Sequence, residues 1–126
     1  MSKYRLGEFE EVVLLTVAVL YGKAYGVAIL NEIEERLQRE VSIGSLRTVL
    51  KRLENKGCVS SEFGESTAMR GGKRKRFFKV TKYGQKVLQE MREQRQQLWE
   101  AIQSICTGDS LEWNGQTLAD SGQYQH

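Results

Sequence analysis

The chain has few of the residues that build metal sites, disulfide frameworks or catalytic centres. Of its 126 residues, two are cysteines and one is a histidine. Cys58 and Cys106 lie 48 positions apart, which fits neither a C-x-x-C metal site nor a disulfide framework and suits a reducing cytosol. The histidine is His126, and no nucleophile–base pair, glycine-rich phosphate loop or metal-ligand cluster stands out. The sequence therefore argues against an enzyme and predicts no cofactor and no metal.

Long apolar runs are also missing. No stretch approaches the roughly 18 apolar residues of a membrane-spanning helix. Residues 1–8 lack the apolar core and the cleavage site of a secretion signal. We therefore expect a cytoplasmic protein with no membrane partner, and its length predicts a single modest core.

Positive charge is concentrated in one short stretch. The net charge is +3, and the five cations between Arg70 and Arg76 leave −2 for the rest of the chain. Concentrated charge on a nearly neutral body indicates an oriented anionic partner. Gly71 and Gly72 favour a turn and Phe77 with Phe78 favours a strand, so the stretch is typical of a hairpin tip. Taken alone, however, it fits a solvated charged loop at least as well.

Two helices are predicted near the start of the chain. Residues 7–21 have an acidic first turn and two apolar stripes, so this helix needs cover on two sides, and a partner subunit is one candidate for the second cover. Its valine content leaves a buried strand open as an alternative. Residues 26–39 form the second helix, with i,i+4 pairs between Glu32 and Arg36 and between Glu35 and Arg39. The connector between them has room for a very short strand.

A third helix has the clearest local signals. Ser42 is a good N-cap and Gly57 a good C′ residue. Its outward face carries three cations and two hydroxyls, namely Ser45, Arg47, Thr48, Lys51 and Arg52. Strands are predicted at 58–64 and 76–80, on either side of the basic loop. This order predicts a mainly α fold with a small β-hairpin: a winged helix-turn-helix domain over 1–81, with its wing at about 64–76.

A fourth helix, 82–106, is predicted after Thr81 as its cap. Residues along it are spaced alternately by three and four, giving a heptad seam with one charged member. The seam residues are Leu88, Met91, Arg95, Leu98, Ile102 and Ile105. Since a helix of ~25 residues spans roughly 37 Å, more than the domain itself needs, the seam predicts a homodimer interface. Packing against the chain's own first helix is the alternative, and both can hold together. Residues 107–126 lack periodicity and are predicted to be flexible.

The predicted segments contain a series of short motifs. They are Leu6-Gly7-Glu8, Ala24-Tyr25-Gly26-Val27-Ala28-Ile29, Val41-Ser42-Ile43-Gly44-Ser45-Leu46, Arg52-Leu53, Lys56-Gly57, and Arg70-Gly71-Gly72-Lys73-Arg74-Lys75 running into Phe77-Phe78-Lys79-Val80-Thr81 with Gly84. In this order and spacing, over about residues 6–100, the chain resembles the PadR family of bacterial transcriptional regulators. The single C-terminal helix resembles the short subfamily.

The resemblance implies a homodimeric regulator, usually a repressor. Its third helix would enter the major groove, its wing would contact the minor groove or phosphates, and its fourth helix would dimerise. Some relatives bind phenolic or drug-like effectors, so an aromatic small molecule is the expected effector. Phe9 and Trp99 are the candidate effector-binding residues, although a core role for Trp99 is equally open. The chain departs from the family where Arg47 replaces a common tyrosine and Lys51 an acidic or other polar residue, so a target sequence cannot be transferred from relatives.

We therefore predict a homodimer that binds a pseudo-palindromic double-stranded DNA operator and is a repressor released by a small-molecule effector. The predicted DNA-binding residues are Ser45, Arg47, Thr48, Lys51, Arg52, Arg70, Lys73, Arg74 and Lys75. Arg47 is the candidate for bidentate guanine contact, whereas Arg52 could instead pair with an acidic group and brace the domain. The alternative function is a winged helix used for protein–protein assembly or for non-specific DNA binding.

Overall fold

The computed structural model describes residues 5–64 and 75–105, together with the backbone of residues 112–113 and 116–117. The elements are α1 (Glu8–Val19), α2 (Gly26–Leu37), α3 (Ile43–Asn55), β1 (Val59–Phe63), β2 (Arg76–Val80), α4 (Lys82–Ile105), β3 (Glu112–Trp113) and β4 (Gln116–Thr117). The predicted mainly helical fold with a small hairpin is confirmed. The chain divides into two compact units, Met1–Glu90 and Met91–His126. Each helix in the described segments is too short or too polar to cross a membrane.

The core of the first unit lies among its helices and the β1–β2 hairpin. Its largest fully buried side chains are Leu14, Ile29, Ile33, Leu46, Leu53, Val13, Val17, Val87 and Cys58. Within α1, α2 and α3 these residues lie one, three, four or seven positions apart, which places them on one face of each helix. Burial raises the pKa of the Cys58 thiol. Because a fully buried Leu or Ile contributes about 1.5–3 kcal/mol, this cluster dominates the stability of the unit.

Only one of the two apolar stripes on α1 is covered within this unit. Val13 and Val17 are buried, whereas Leu15 and Val19 are 46% and 57% exposed. The strand alternative for this segment is wrong, since the residues are helical. A single chain therefore leaves an apolar face of α1 in contact with solvent.

Both ends of α3 are fixed by local hydrogen bonds, as predicted. Ser42 Oγ accepts the Ser45 N–H at 3.1 Å at the N-terminal end. At the other end the Gly57 N–H donates to the Glu54 carbonyl at 3.0 Å and the Cys58 N–H to the Leu53 carbonyl at 2.9 Å, a Schellman motif. Gly57 has φ +79°, which explains the glycine there. The helix is thus held at both ends, and its exposed face keeps a fixed position on the core.

The end predicted for α2 is wrong, and with it one ion pair. Gln38 adopts a left-handed conformation with φ 52°, so the helix ends at Leu37 and Arg39 lies outside it. Glu32 and Arg36 form the predicted pair. Arg39, instead of pairing with Glu35, donates to both carboxylate oxygens of Glu8 at 2.7 and 3.0 Å. These hydrogen bonds, aided by the Arg39 charge and opposed by slight burial, lower the pKa of Glu8.

The hairpin is attached to the start of α2. β1 and β2 pair antiparallel from Val59 opposite Val80 to Phe63 opposite Arg76. The Phe78 N–H donates to the Ala24 carbonyl at 2.8 Å, and Tyr25 forms a single β-bridge with Phe77. The predicted very short strand in this connector is therefore one bridge. It fixes the base of the wing against the N-terminal end of α2.

A second, very short hairpin occurs in the segment predicted to be flexible. β3 and β4 pair antiparallel, Glu112 opposite Thr117 and Trp113 opposite Gln116. Residues 114 and 115, between the two strands, lie outside the described residues. The lack of apolar periodicity in this segment did not predict the paired strands. The remainder of the predicted flexible segment lies outside the described residues.

Gly84 is expected to tolerate no side chain. A Cβ at this position would overlap the carbonyl oxygen of Cys58 and lie 2.9 Å from Val80 Cγ1. Because the obstacle is backbone, Gly84→Ala should lower the free energy of unfolding by about 1–3 kcal/mol, measured by chemical denaturation. Gly44→Ala is the matched control, since a Cβ there meets nothing within 4 Å and alanine favours the helix. Equal stability of the two variants would contradict this packing.

Candidate nucleic-acid interface

The exposed face of α3 carries all five of its predicted DNA-binding residues, Ser45, Arg47, Thr48, Lys51 and Arg52. Helical spacing puts Thr48 and Lys51 directly opposite the buried stripe, with Arg47 and Arg52 on the two flanks. Gly44 lies on the same side, facing open space. The exposed face of α3 therefore has small side chains near its centre, with the Lys51 cation among them and one arginine on each flank.

The hydroxyls on this face already have partners within the protein. Thr48 Oγ1 donates to the Gly44 carbonyl at 3.0 Å. Ser42 Oγ donates to Ser45 Oγ at 2.9 Å. Thr48 therefore offers a ligand an acceptor and a methyl group, while Ser45 retains its own O–H for donation. The donors of this surface are mainly Arg47 and Lys51.

Arg52 lies on the flank of α3 that faces the start of α1. There the carboxylate of Glu10 pairs with Lys56 Nζ at 3.0 Å and accepts the Gly7 N–H at 2.8 Å. Burial raises the pKa of Glu10, but these two hydrogen bonds and the charges of Lys56 and Arg52 outweigh it, so the pKa lies below its usual value. The charge of Arg52 thus stabilises the ionised Glu10 carboxylate, which supports the alternative role of Arg52 in holding the domain together.

A groove of about 700 Å³ lies beside α3 and is lined by three elements: the start of α2, the α3 flank and the base of β2. The lining residues are Tyr25, Gly26, Val27, Ile43, Arg47, Leu50, Lys51, Glu54, Asn55, Lys75, Arg76 and Phe78. It therefore brings Arg47 and Lys51 of the helix together with Lys75 of the wing base. Lys75 Nζ lies 4.2 Å from the centroid of the Tyr25 ring, a cation–π contact.

The predicted DNA-binding residues thus fall into three groups. Arg47, Lys51 and Lys75 share the groove. Ser45, Thr48 and Arg52 are exposed on α3 but do not line it. Arg70, Lys73 and Arg74 lie outside the described residues.

Two charged residues of this region were not among the predicted DNA-binding residues, although Arg76 belongs to the predicted basic run. Glu54, near the end of α3, and Arg76, at the start of β2, form an ion pair at 2.9 Å. Both line the groove. They are 22 positions apart in sequence, so no local spacing rule could have paired them. Tyr25 was likewise missed, because its role follows from the bridge to Phe77.

In the second unit, α4 presents apolar side chains to solvent. Leu98 and Ile105 are 68% and 70% exposed, and Ile102 is half-buried. Trp99 is 55% exposed, so it is not a core residue of the single chain. Of the other seam members, Met91 is half-buried and Arg95 is exposed, and Leu88, which belongs to the first unit, is half-buried.

Phe9, the other candidate effector residue, belongs to the first unit. It is half-buried, and the guanidinium carbon of Arg39 lies 5.0 Å from its ring centroid. Within the described segments, no group of three or more His, Cys, Asp or Glu side chains could hold a metal ion.

Three helices, an antiparallel hairpin and an exposed cationic third helix define a winged helix-turn-helix protein. Residues 14–90 match the sequence model of the Transcriptional regulator PadR-like family. Because that match covers more than half of the chain, the protein belongs to this family. The predictions of a regulator and of a non-enzymatic protein are thereby confirmed.

Solved structures with the same fold support the assignment. A PadR-like transcription factor from Bacteroides fragilis is 28% identical, with a TM-score of 0.63 over 77% of this chain and 88% of that one. A PadR family transcription regulator from Clostridium difficile R20291 is 26% identical, with a TM-score of 0.53 over 75% and 93%. Bacillus subtilis PadR in complex with operator DNA is 16% identical, with a TM-score of 0.56 over 69% and 48%. A comparison with curated proteins gave no match.

Proposed function

We propose that this PadR-like regulator is a homodimer that binds a pseudo-palindromic DNA operator, represses transcription from it, and is released by an aromatic small molecule. The observation that carries the proposal is the exposed cationic face of α3, held at both ends and continuous with the groove that reaches Lys75. An α-helix fits the major groove of B-DNA, where arginine can bond guanine bidentately. The complex of Bacillus subtilis PadR with operator DNA supports DNA as the ligand.

The homodimer is supported by apolar surfaces that one chain leaves uncovered. Leu98, Ile102 and Ile105 recur at heptad spacing on α4, and two of them are largely exposed. Leu15 and Val19 on α1 are also in contact with solvent. A symmetric dimer buries such faces and pairs two copies of α3, which then meet half-sites about one helical turn, or a multiple of it, apart.

Release by an effector is supported by the aromatic side chains that remain accessible. Trp99 on α4 exposes a large ring, and Phe9 on α1 is half-buried beneath the Arg39 guanidinium. Exposed aromatic rings of this kind can stack against a planar aromatic ligand. Trp99 and Phe9 are therefore the candidate effector contacts, each considered within its own unit.

Selection of genomic fragments by the purified protein tests this function. Fragments recovered at moderate salt should share a pseudo-palindrome and bind orders of magnitude more tightly than random DNA. The selection is then repeated with candidate aromatic compounds, which should release the operator but not random DNA. Equal displacement of every fragment by random DNA would leave only non-specific binding or protein–protein assembly as the function.

Neutralising the wing should weaken DNA binding without changing sequence preference. The triple variant Lys73→Gln, Arg74→Gln and Lys75→Gln removes charges that would contact phosphates, so the slope of log K against log salt should flatten by about 0.9 per lost contact. Operator and random DNA should lose affinity alike, because phosphate contacts position and base contacts specify. Fluorescence anisotropy across a salt series measures both quantities.

The matched control removes the same charge from the strand and helix that follow. Lys79→Gln, Lys82→Gln and Lys86→Gln changes three exposed cations outside the wing. Its salt slope should stay close to that of the wild type. A slope that changes equally in both triple variants would show a general charge effect, and an altered sequence preference in the wing variant would show that the wing reads the minor groove.

A further inference from the structure

A closed ring of three hydrogen bonds joins α3 to both strands of the hairpin. Arg76 Nη2 donates to Glu54 Oε1 at 2.9 Å, and Arg76 Nε donates to Ser61 Oγ at 2.9 Å. Ser61 Oγ in turn donates to Glu54 Oε2 at 2.8 Å. One member comes from α3, one from β1 and one from β2. We call these three residues the wing brace.

Aromatic contacts hold the guanidinium of Arg76 in place independently of Glu54. Its central carbon lies 5.9 Å from the Phe63 ring centroid and 5.6 Å from that of Phe78. Both rings belong to the hairpin, so the guanidinium is seated on the strands and presents its N–H fork towards α3. The guanidinium donates to its two acceptors from two separate nitrogens held in one plane, a geometry that the single nitrogen of a lysine ammonium cannot reproduce.

The position of Glu54 is unfavourable for DNA binding on charge alone. The carboxylate lines the same groove as Arg47, Lys51 and Lys75. A negative charge among cations that face a polyanion lowers the affinity for it. Arg76 offsets that charge, so neither member of the pair adds net positive charge to the surface. A partly exposed pair of this kind also adds little stability, typically ~0–1 kcal/mol.

We propose that the wing brace orients the hairpin relative to α3, so that the wing and the helix reach one DNA duplex together. Glu54, Ser61 and Arg76 are then positioning residues, and none of them needs to contact DNA. The inference rests on the proposed function, because it concerns how the same DNA-binding surface is assembled. It explains why a carboxylate stands in a cationic groove.

The direction in which one charge-removing substitution changes the DNA affinity tests the proposal. Glu54→Gln removes a negative charge from the groove, so electrostatics alone predicts tighter DNA binding. The brace should weaken, because a neutral amide accepts a weaker hydrogen bond from the guanidinium than a carboxylate does. Operator binding should then weaken by about tenfold, the scale of one charged hydrogen bond. The affinity for random DNA should fall less than the affinity for the operator, so the ratio of the two affinities should also fall.

Glu62→Gln is the matched control on the same hairpin. Glu62 pairs at 3.4 Å with Lys79 and makes this contact within the hairpin itself. Its loss should leave operator affinity unchanged or slightly raised. Circular dichroism and thermal midpoints of both variants should match the wild type, which separates a changed wing orientation from unfolding.

A second variant tests the role of the Arg76 guanidinium geometry without changing the charge. Arg76→Lys keeps the cation, so a simple phosphate contact would survive the exchange. The proposal predicts a drop in operator affinity similar to that of Glu54→Gln, with an unchanged salt slope. Lys79→Arg, the reverse exchange on the same strand, should have no effect.

The outcomes separate this inference from the function on which it rests. A wild-type protein that prefers no fragment over random DNA would overturn the proposed function and the brace with it. A wild type with a clear preference, whose Glu54→Gln and Arg76→Lys variants bind operator as tightly as their controls, would overturn the brace alone.

Discussion

Replacing Leu98 and Ile102 with aspartate is expected to give monomers that bind the operator at least about 100-fold more weakly. Leu98 is 68% exposed in the single chain and Ile102 half-buried, both on the heptad face of α4. Four aspartates in the apolar centre of a helix–helix interface would be buried without partners, at several kcal/mol. A monomer reaches one half-site and loses the roughly 10²–10⁴-fold gain of linked binding.

Two aspartates on the opposite face of the same helix provide the control. Gln97 and Ser104 are exposed and point away from the seam. Gln97→Asp with Ser104→Asp adds the same charge and a similar helix-propensity cost, and should remain dimeric. Sedimentation equilibrium distinguishes the two variants. An intact dimer for the Leu98 and Ile102 variant would reject α4 as the interface, whatever its DNA affinity.

Signals that act within a few residues predicted the helices and hairpin well. Ser42 and Gly57 mark the ends of α3 because a cap and a left-handed residue are chosen by backbone geometry at one position. The end of α2 was missed because Gln38 adopts a left-handed conformation, which its residue type does not indicate. Ending the helix at Leu37 instead of residue 39 was enough to move Arg39 from Glu35 to Glu8.

The arrangement of the candidate site could be predicted from the sequence only for residues that lie on the same helix. Helical periodicity alone places Arg47, Thr48 and Lys51 on the exposed face of α3. The groove, in contrast, requires α2, α3 and β2 to meet, and the brace joins Glu54 to a residue 22 positions away. Such pairings depend on tertiary packing, which composition and spacing do not encode directly.

On the proposed DNA surface, affinity and sequence selectivity also differ in how far the sequence alone predicts them. Cations of the wing need only follow a phosphate backbone, so a basic run in the sequence was sufficient to suggest them. Base readout depends on which side chain projects where from a fixed helix. Arg47 stands on the α3 flank that borders the groove. It is therefore the residue whose exchange should most change the preferred sequence.

Arg47→Lys is expected to lower the preference for operator over random DNA by about 30-fold or more. A bidentate arginine–guanine contact discriminates by ~1–3 kcal/mol, and a dimer makes it in both half-sites. Because lysine keeps the charge, affinity for random DNA and the salt slope should stay unchanged. Arg47→Ala should lose the same preference and, in addition, flatten the salt slope. Competition anisotropy against random duplex measures the preference.

Arg52→Lys is the matched exchange on the other flank of α3. Arg52 does not line the groove and lysine keeps the charge that acts on Glu10, so sequence preference should be unaffected. If Arg47→Lys kept full preference while Arg47→Ala weakened all DNA equally, Arg47 would contact phosphates only. Base readout would then fall to Lys51, the cation at the centre of the exposed face, and Lys51→Ala would become the variant with a changed target sequence. Selecting fragments with each variant distinguishes the two arrangements, because a readout residue alters which bases are enriched and a phosphate contact does not.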